Sequence, residues 1–164
     1  MASPDELIPA IFDAVERVLP PQWRRVTFRV WATVVAYQTE LTVVMADGSS
    51  PEVAPPAVTN LLAALREAMY QPGRGTWFSA AFLLRAGEEP EATFNYDQDP
   101  RWFPELPPVA FARDLAAFPR SDERIPDWLR RALADAAAMA PAPEDQGRIE
   151  ENRAPASKTE DRTA

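Results

Sequence analysis

At 164 residues, 46% of them apolar, the chain is long enough for one domain with a real core and short for two. It has no cysteine and no histidine. That excludes disulfides, zinc–thiolate sites and thiol nucleophiles, and it removes the commonest general base and transition-metal ligand. A formal charge of -8, from 25 acids against 17 bases, repels nucleic acid and anionic membranes and favours a basic protein partner.

The N-terminal stretch "MASPDELIPAIFDAVERVL" carries acids among its apolar residues and lacks a basic leader. No apolar run reaches the roughly 18 to 20 residues that span a bilayer, so the chain reads as soluble and cytoplasmic. Ser3-Pro4-Asp5-Glu6 predicts a helix start, with Ser3 as cap, Pro4 at the first helical position and Glu6 placed for a capping box. Leu7, Ile8, Ile11, Phe12, Val15, Val18 and Leu19 then form one apolar face, and Pro20-Pro21 ends the helix.

From Arg24 the period becomes two. Val26, Phe28, Val30, Ala32 and Val34 alternate with Arg25, Thr27, Arg29, Trp31 and Thr33, predicting a half-buried strand with Trp31 on its polar side. "ELTVVMADG" predicts the returning strand of an antiparallel hairpin, closed by Asp47-Gly48. A second helix begins at Pro56, with Val58, Leu61, Leu62, Leu65 and Met69 on one face, and stops near Gln71-Pro72-Gly73. "TWFSAAFLLRA" and "EATFNYD" predict a second hairpin across the "GEEP" linker. A proline- and aromatic-rich stretch follows, with room for a short helix over about Val109 to Ala117. Pro126 opens a last helix that buries Trp128, Leu129, Leu133 and Ala136.

Two hairpins separated by helices argue against a parallel βαβ sheet and for an α+β fold. The expected architecture is a four-stranded antiparallel sheet with helices packed on one face and extra C-terminal helices. Residues 1–140 form a single domain, and the polar segment 141–164 lacks the apolar content to offset the entropy of ordering it.

One stretch, "FNYDQDPRW", carries the most chemistry. Asp97 and Asp99, with Asn95 nearby, are spaced to offer oxygen ligands to a divalent metal. They are equally suited to a turn at a strand end, where Asp accepts backbone N–H groups and Pro100 directs the chain. No glycine-rich phosphate loop accompanies them, and no serine or threonine has a visible base, so neither an enzyme nor a cofactor is expected. A third reading is a protein-binding surface. Glu88, Glu89, Glu91, Asp97 and Asp99 occur without an intervening base, beside Tyr96, Trp102 and Phe103. On a hairpin, both ends of this segment can fall near one sheet edge and concentrate negative potential beside aromatic anchors.

The order of these features resembles the YezG-like antitoxins, small cytoplasmic immunity proteins that neutralise secreted polymorphic toxins, notably nucleases. "IFDAVERVLPPQW" is similar to the family's opening helix and Pro-x-x-Trp, through Ile11, Val15, Pro20 or Pro21, and Trp23. "RVTFRVWATVV", "ELTVVMA" and "VTNLLAALREAMY" resemble its strand pair and helix, "TWFSAAFLL" its Trp-led strand, and "ATFNYD" its Tyr-Asp ending. The likeness covers roughly residues 7 to 102, whereas "DLAAFPRSDERIPDWLRRAL" departs from the family's short Trp-containing end.

The resemblance implies stoichiometric inhibition of a cognate toxin domain with a basic cleft. The expected interface comprises Glu88, Glu89, Tyr96, Asp97, Asp99, Arg101 and Trp102, with carboxylates pairing to toxin cations and Tyr96 and Trp102 as anchors. A homo-oligomer is compatible with this role. The alternatives are a secretion chaperone for an effector and a metal-dependent enzyme using Asp97 and Asp99.

Overall fold

The computed structural model describes residues 1–139; the predicted polar tail at 141–164 lies outside them. Helix α1 spans Pro4–Val18 and buries Leu7, Ile11, Phe12 and Val15, the face that the sequence periodicity predicts. Its start differs in detail from a capping box. The Ser3 carbonyl accepts the first amides, from Glu6 (3.0 Å) and Leu7 (2.9 Å), while the Ser3 hydroxyl donates to the Glu6 carboxylate (3.3 Å) and leaves the backbone uncapped. Val18, at the last position, turns outward.

Strands β1 (Trp23–Ala32) and β2 (Tyr37–Met45) form the first hairpin, and β3 (Ser79–Arg85) and β4 (Glu91–Asn95) the second. All pairings are antiparallel, in the order β2-β1-β3-β4. The fold is therefore the α+β layer expected, with the hairpins joined through β1 and β3. Strand β1 ends at Ala32, two residues sooner than the alternation suggests. Thr33 is buried, and Val34 and Val35 lie exposed in the turn. The reason is the Thr33–Ala36 closure, in which the Thr33 amide donates to the Ala36 carbonyl (2.8 Å).

Helix α2 (Thr59–Ala68) begins three residues after Pro56 and lies beside α1 on one face of the sheet. Val26, Phe28, Val30, Phe82 and Leu84 meet the two helices there, with Phe12 and Phe82 packed edge to face at 5.5 Å. Each such fully buried side chain contributes about 1.5–3 kcal/mol relative to exposure. Among the described residues, no helix covers the opposite face. Its cross-strand rows, read from the register, are Arg29–Ala81–Thr93 and Trp31–Ser79–Asn95.

Helices α3 (Pro108–Ala117) and α4 (Asp127–Met139) pair with each other at the end of the sheet where β3 begins. Phe78, Phe111 and Trp128 meet there edge to face at 5.2–6.0 Å, with Leu129 wholly buried beneath them. Trp128 and Leu133, expected inside, are half-buried.

Between the two apolar clusters lies a buried ion pair. Arg66 of α2 donates through both terminal nitrogens to the Asp114 carboxylate (2.7 and 3.0 Å) and through Nε to the Trp77 carbonyl (2.8 Å). Asp114 also accepts the Val34 amide (2.7 Å), tying α3 to the β1–β2 turn. Both side chains are almost completely removed from water. A planar guanidinium suits this place because its fork matches a carboxylate while its faces lie against Trp77, Phe78 and Phe118.

Candidate partner-binding surface

Strand β4 stops at Asn95 because the chain is captured there from several sides. The Asn95 amide brackets Gln98, accepting its N–H (2.9 Å) and donating to its carbonyl (2.9 Å). Asp99 accepts the Arg101 amide (2.9 Å), a local Asx turn, and Arg101 itself has φ +56°, the left-handed region. Pro100 is buried, and its carbonyl accepts the Trp31 indole N–H (2.8 Å). The Phe103 carbonyl then accepts Gln38 of β2 (3.2 Å). Residues 97–103 thus run across the end of the open sheet face from β4 to β2. Trp31, the aromatic on an otherwise polar side, is the post that holds them.

Arg120 fastens the same loop from beneath. Its guanidinium donates to the carbonyls of Thr76 (3.1 Å), Tyr96 (2.5 Å) and Arg124 (3.1 Å) and to the Asp97 carboxylate (3.2 Å). Burial pulls its pKa below the usual arginine value, and Asp97 opposes that shift. Space for it exists because residue 75 is glycine: a Cβ there would sit 2.6 Å from Arg120 Nε. Gly73-Arg74-Gly75 is the expected turn and also the seat of this arginine.

The anticipated interface residues therefore divide. Tyr96 is buried: its hydroxyl donates to the Met69 carbonyl (2.9 Å) and its ring lies under Arg74 at 4.2 Å. It is a core residue and offers no anchor to a partner. Asp97 is half exposed but paired with Arg120, and its carbonyl accepts the Trp128 indole (2.8 Å). Asp97-Gln98-Asp99 is thus a turn whose acids serve the chain's own backbone and Arg120. Among the described residues, no group of three or more acids is placed to hold a metal ion. Asp99 and Arg101 are exposed and Trp102 is half-buried, and all three line one cleft.

Glu88 and Glu89 do not join them. They sit exposed in the β3–β4 turn, beyond a five-residue strand that spans about 17 Å at roughly 3.4 Å per residue. There Pro90 shares a small hollow with Ile8, Pro9, Phe12, Asp13 and Glu16 of α1, so this turn lies on the α1 side of the molecule. The acidic segment is split into two ends of the molecule.

The exposed aromatic of this loop is instead Phe103, 86% exposed. It borders a cleft of about 590 Å³ between the loop and the α3–α4 pair, floored by Trp102, Leu106, Phe111 and Trp128 and rimmed by Asp99, Glu105, Arg131 and Asp135. The Trp102 indole nitrogen is buried there with no hydrogen-bond partner among the described residues. Sequence reasoning noticed Phe103 only as one aromatic among several. Arg66, Asp114 and Arg120 passed unnoticed, although Arg66 and Asp114 stand at helical spacing from Leu62 and Ala110, positions where a charge interrupts an apolar stripe. Among the described residues, no helix is long and apolar enough to cross a membrane. No model of a known protein family matches this chain, and no curated protein is significantly similar to it.

Proposed function

We propose that this chain is an immunity protein: it binds one cognate toxin domain, basic in character, and inhibits it stoichiometrically without turnover. The observation that carries this reading is Phe103, an almost fully solvent-exposed aromatic beside an apolar cleft with a charged rim. A large apolar side chain held out in water by an ordered loop has no stabilising role in the free chain. Set beside a pocket it has the anatomy of a binding hot spot, with an aromatic anchor, an apolar floor and a polar surround.

Charge supports the same reading. Among the described residues, two arginines, Arg66 and Arg120, and one carboxylate, Asp114, are buried, so what these residues expose is more acidic than their formal charge indicates. A nucleic-acid-cleaving toxin needs a basic cleft, and the Glu88, Glu89, Asp13 and Glu16 end would steer such a partner during encounter. The resemblance to YezG-like antitoxins supplies the biological class. The test is co-expression with the C-terminal domain of any secreted toxin encoded beside it, scored by host survival and co-purification. Rescue with a one-to-one complex is the expected result. Binding without rescue would replace this reading with a secretion chaperone, and no binding would overturn both.

A further inference from the structure

The sheet face that no described helix covers holds a second, oppositely charged feature. In the row Arg29–Ala81–Thr93 and the row Trp31–Ser79–Asn95, the central strand β3 contributes the small residues and its neighbours the large ones. This difference in size makes a trough along β3 of about 500 Å³, and Pro100 and Arg101 fence its end. Arg29 and Arg101 stand over it, and no carboxylate lines it. Among the described residues neither guanidinium has a carboxylate within 4.0 Å. Glu40 is cross-strand to Arg29, yet it forms no ion pair with it. Glu91 lies one row beyond Thr93 and is turned towards Arg85 (3.7 Å).

Two arginines without an ion-pair partner among the described residues, in a trough that no described acid lines, are unexpected in so acidic a chain. Arg101 is also held there at some cost, since a non-glycine residue at φ +56° is disfavoured. We infer that this trough binds an acidic segment of a protein, with a carboxylate between Arg29 and Arg101 and the chain extended along β3. Guanidinium forks match carboxylates in two-point contacts. The Ser79 and Thr93 hydroxyls are available as donors, and the Trp31 ring forms an apolar wall. The trough follows β3 and is more open than enclosed. That shape suits an extended chain better than a free small anion, which needs an enclosing site to bury most of its surface. This inference concerns the sheet face and the opposite charge, and Arg101 is the residue that borders both this trough and the Phe103 cleft.

The test is an NMR titration of the ¹⁵N-labelled full chain with three probes: a blocked oligoglutamate peptide, an oligolysine peptide and inorganic phosphate. Oligoglutamate should shift, saturably, the Trp31 indole N–H and the Ala81, Thr93 and Arg101 amides. Oligolysine should leave these signals in place. Arg29→Ala combined with Arg101→Gly, a pair compatible with the exposed positions and the positive φ, should weaken the oligoglutamate response about tenfold or more. Unchanged circular dichroism would confirm that the double variant is folded. The inference fails if oligoglutamate moves none of these signals, if the double variant responds like the parent, or if phosphate saturates the same signals more tightly than the peptide.

Discussion

Replacing Asp114 with alanine is the sharpest probe of how the two halves of this molecule are joined. The substitution removes the acceptor of three hydrogen bonds at once, two from Arg66 and one from the Val34 amide. It also strands a guanidinium whose side chain is 1% exposed. Breaking a buried pair by deleting one partner costs about 3–5 kcal/mol, chiefly because the surviving charge has no solvent to turn to. Against a total stability of about 5–15 kcal/mol, this would lower the melting temperature by roughly 6–20 °C for a chain of this size.

Arg66→Met combined with Asp114→Leu removes both charges and fills the volume with apolar atoms. Such replacements are often neutral or stabilising, so the double variant should be at least about 2 kcal/mol more stable than Asp114→Ala. Urea denaturation followed by tryptophan fluorescence and by circular dichroism measures both, and coincident transitions would establish that the sheet and the α3–α4 pair unfold together. A loss below about 1 kcal/mol for Asp114→Ala would refute the reasoning. So would a double variant as unstable as the single one, since the stranded charge would then not be the cause.

Three further outcomes follow from the geometry. Gly75→Ala places a methyl group 2.6 Å from Arg120 Nε and 2.9 Å from its Cγ at φ +83°. Arg120 cannot swing aside without leaving its bonds to residues 76, 96 and 97, so a loss of about 2 kcal/mol or more is expected in urea denaturation. Burial raises the Tyr96 phenol above its ordinary pKa of 10.0, with Arg74 opposing. Its contribution is therefore complete below about pH 10 and falls as pH rises through the folded-state value. Tyr96→Phe should flatten this alkaline loss while costing about 1 kcal/mol at neutral pH for the bond to Met69, as read from melting curves at several pH values. Phe103→Ala should leave the melting temperature unchanged and weaken toxin binding by about 2 kcal/mol or more, measured by calorimetry on the complex.

Much of the fold was legible in local pattern. A run of apolar residues at helical spacing closed by Pro20-Pro21, and strict alternation from Val26 to Ala32, each admit one secondary structure and one buried face. The two hairpins with helices between them then restrict the layers to α+β. Strand ends were less legible, because Thr33 and Val34 exchange roles through a turn closure and a contact with Asp114, a residue 80 positions away.

The candidate site divided along the same line. Asn95, Asp99 and their turn could be anticipated, since an Asx side chain bonds a backbone two or three residues on and needs no distant partner. The fates of Tyr96 and Phe103 could not. Both are aromatics in a polar, proline-rich neighbourhood, and only the packing of Arg74, Met69 and Arg120 around one of them puts it inside. The separation of Glu88 and Glu89 from Asp97 and Asp99 is likewise a matter of strand length and of where α1 docks. Composition and periodicity are properties of neighbours along the chain, and they determined the elements, the buried faces and the sign of the surface. Which charges are spent inside, and which aromatic is left in water, depends on contacts between residues far apart in sequence, and the tertiary structure alone decided them.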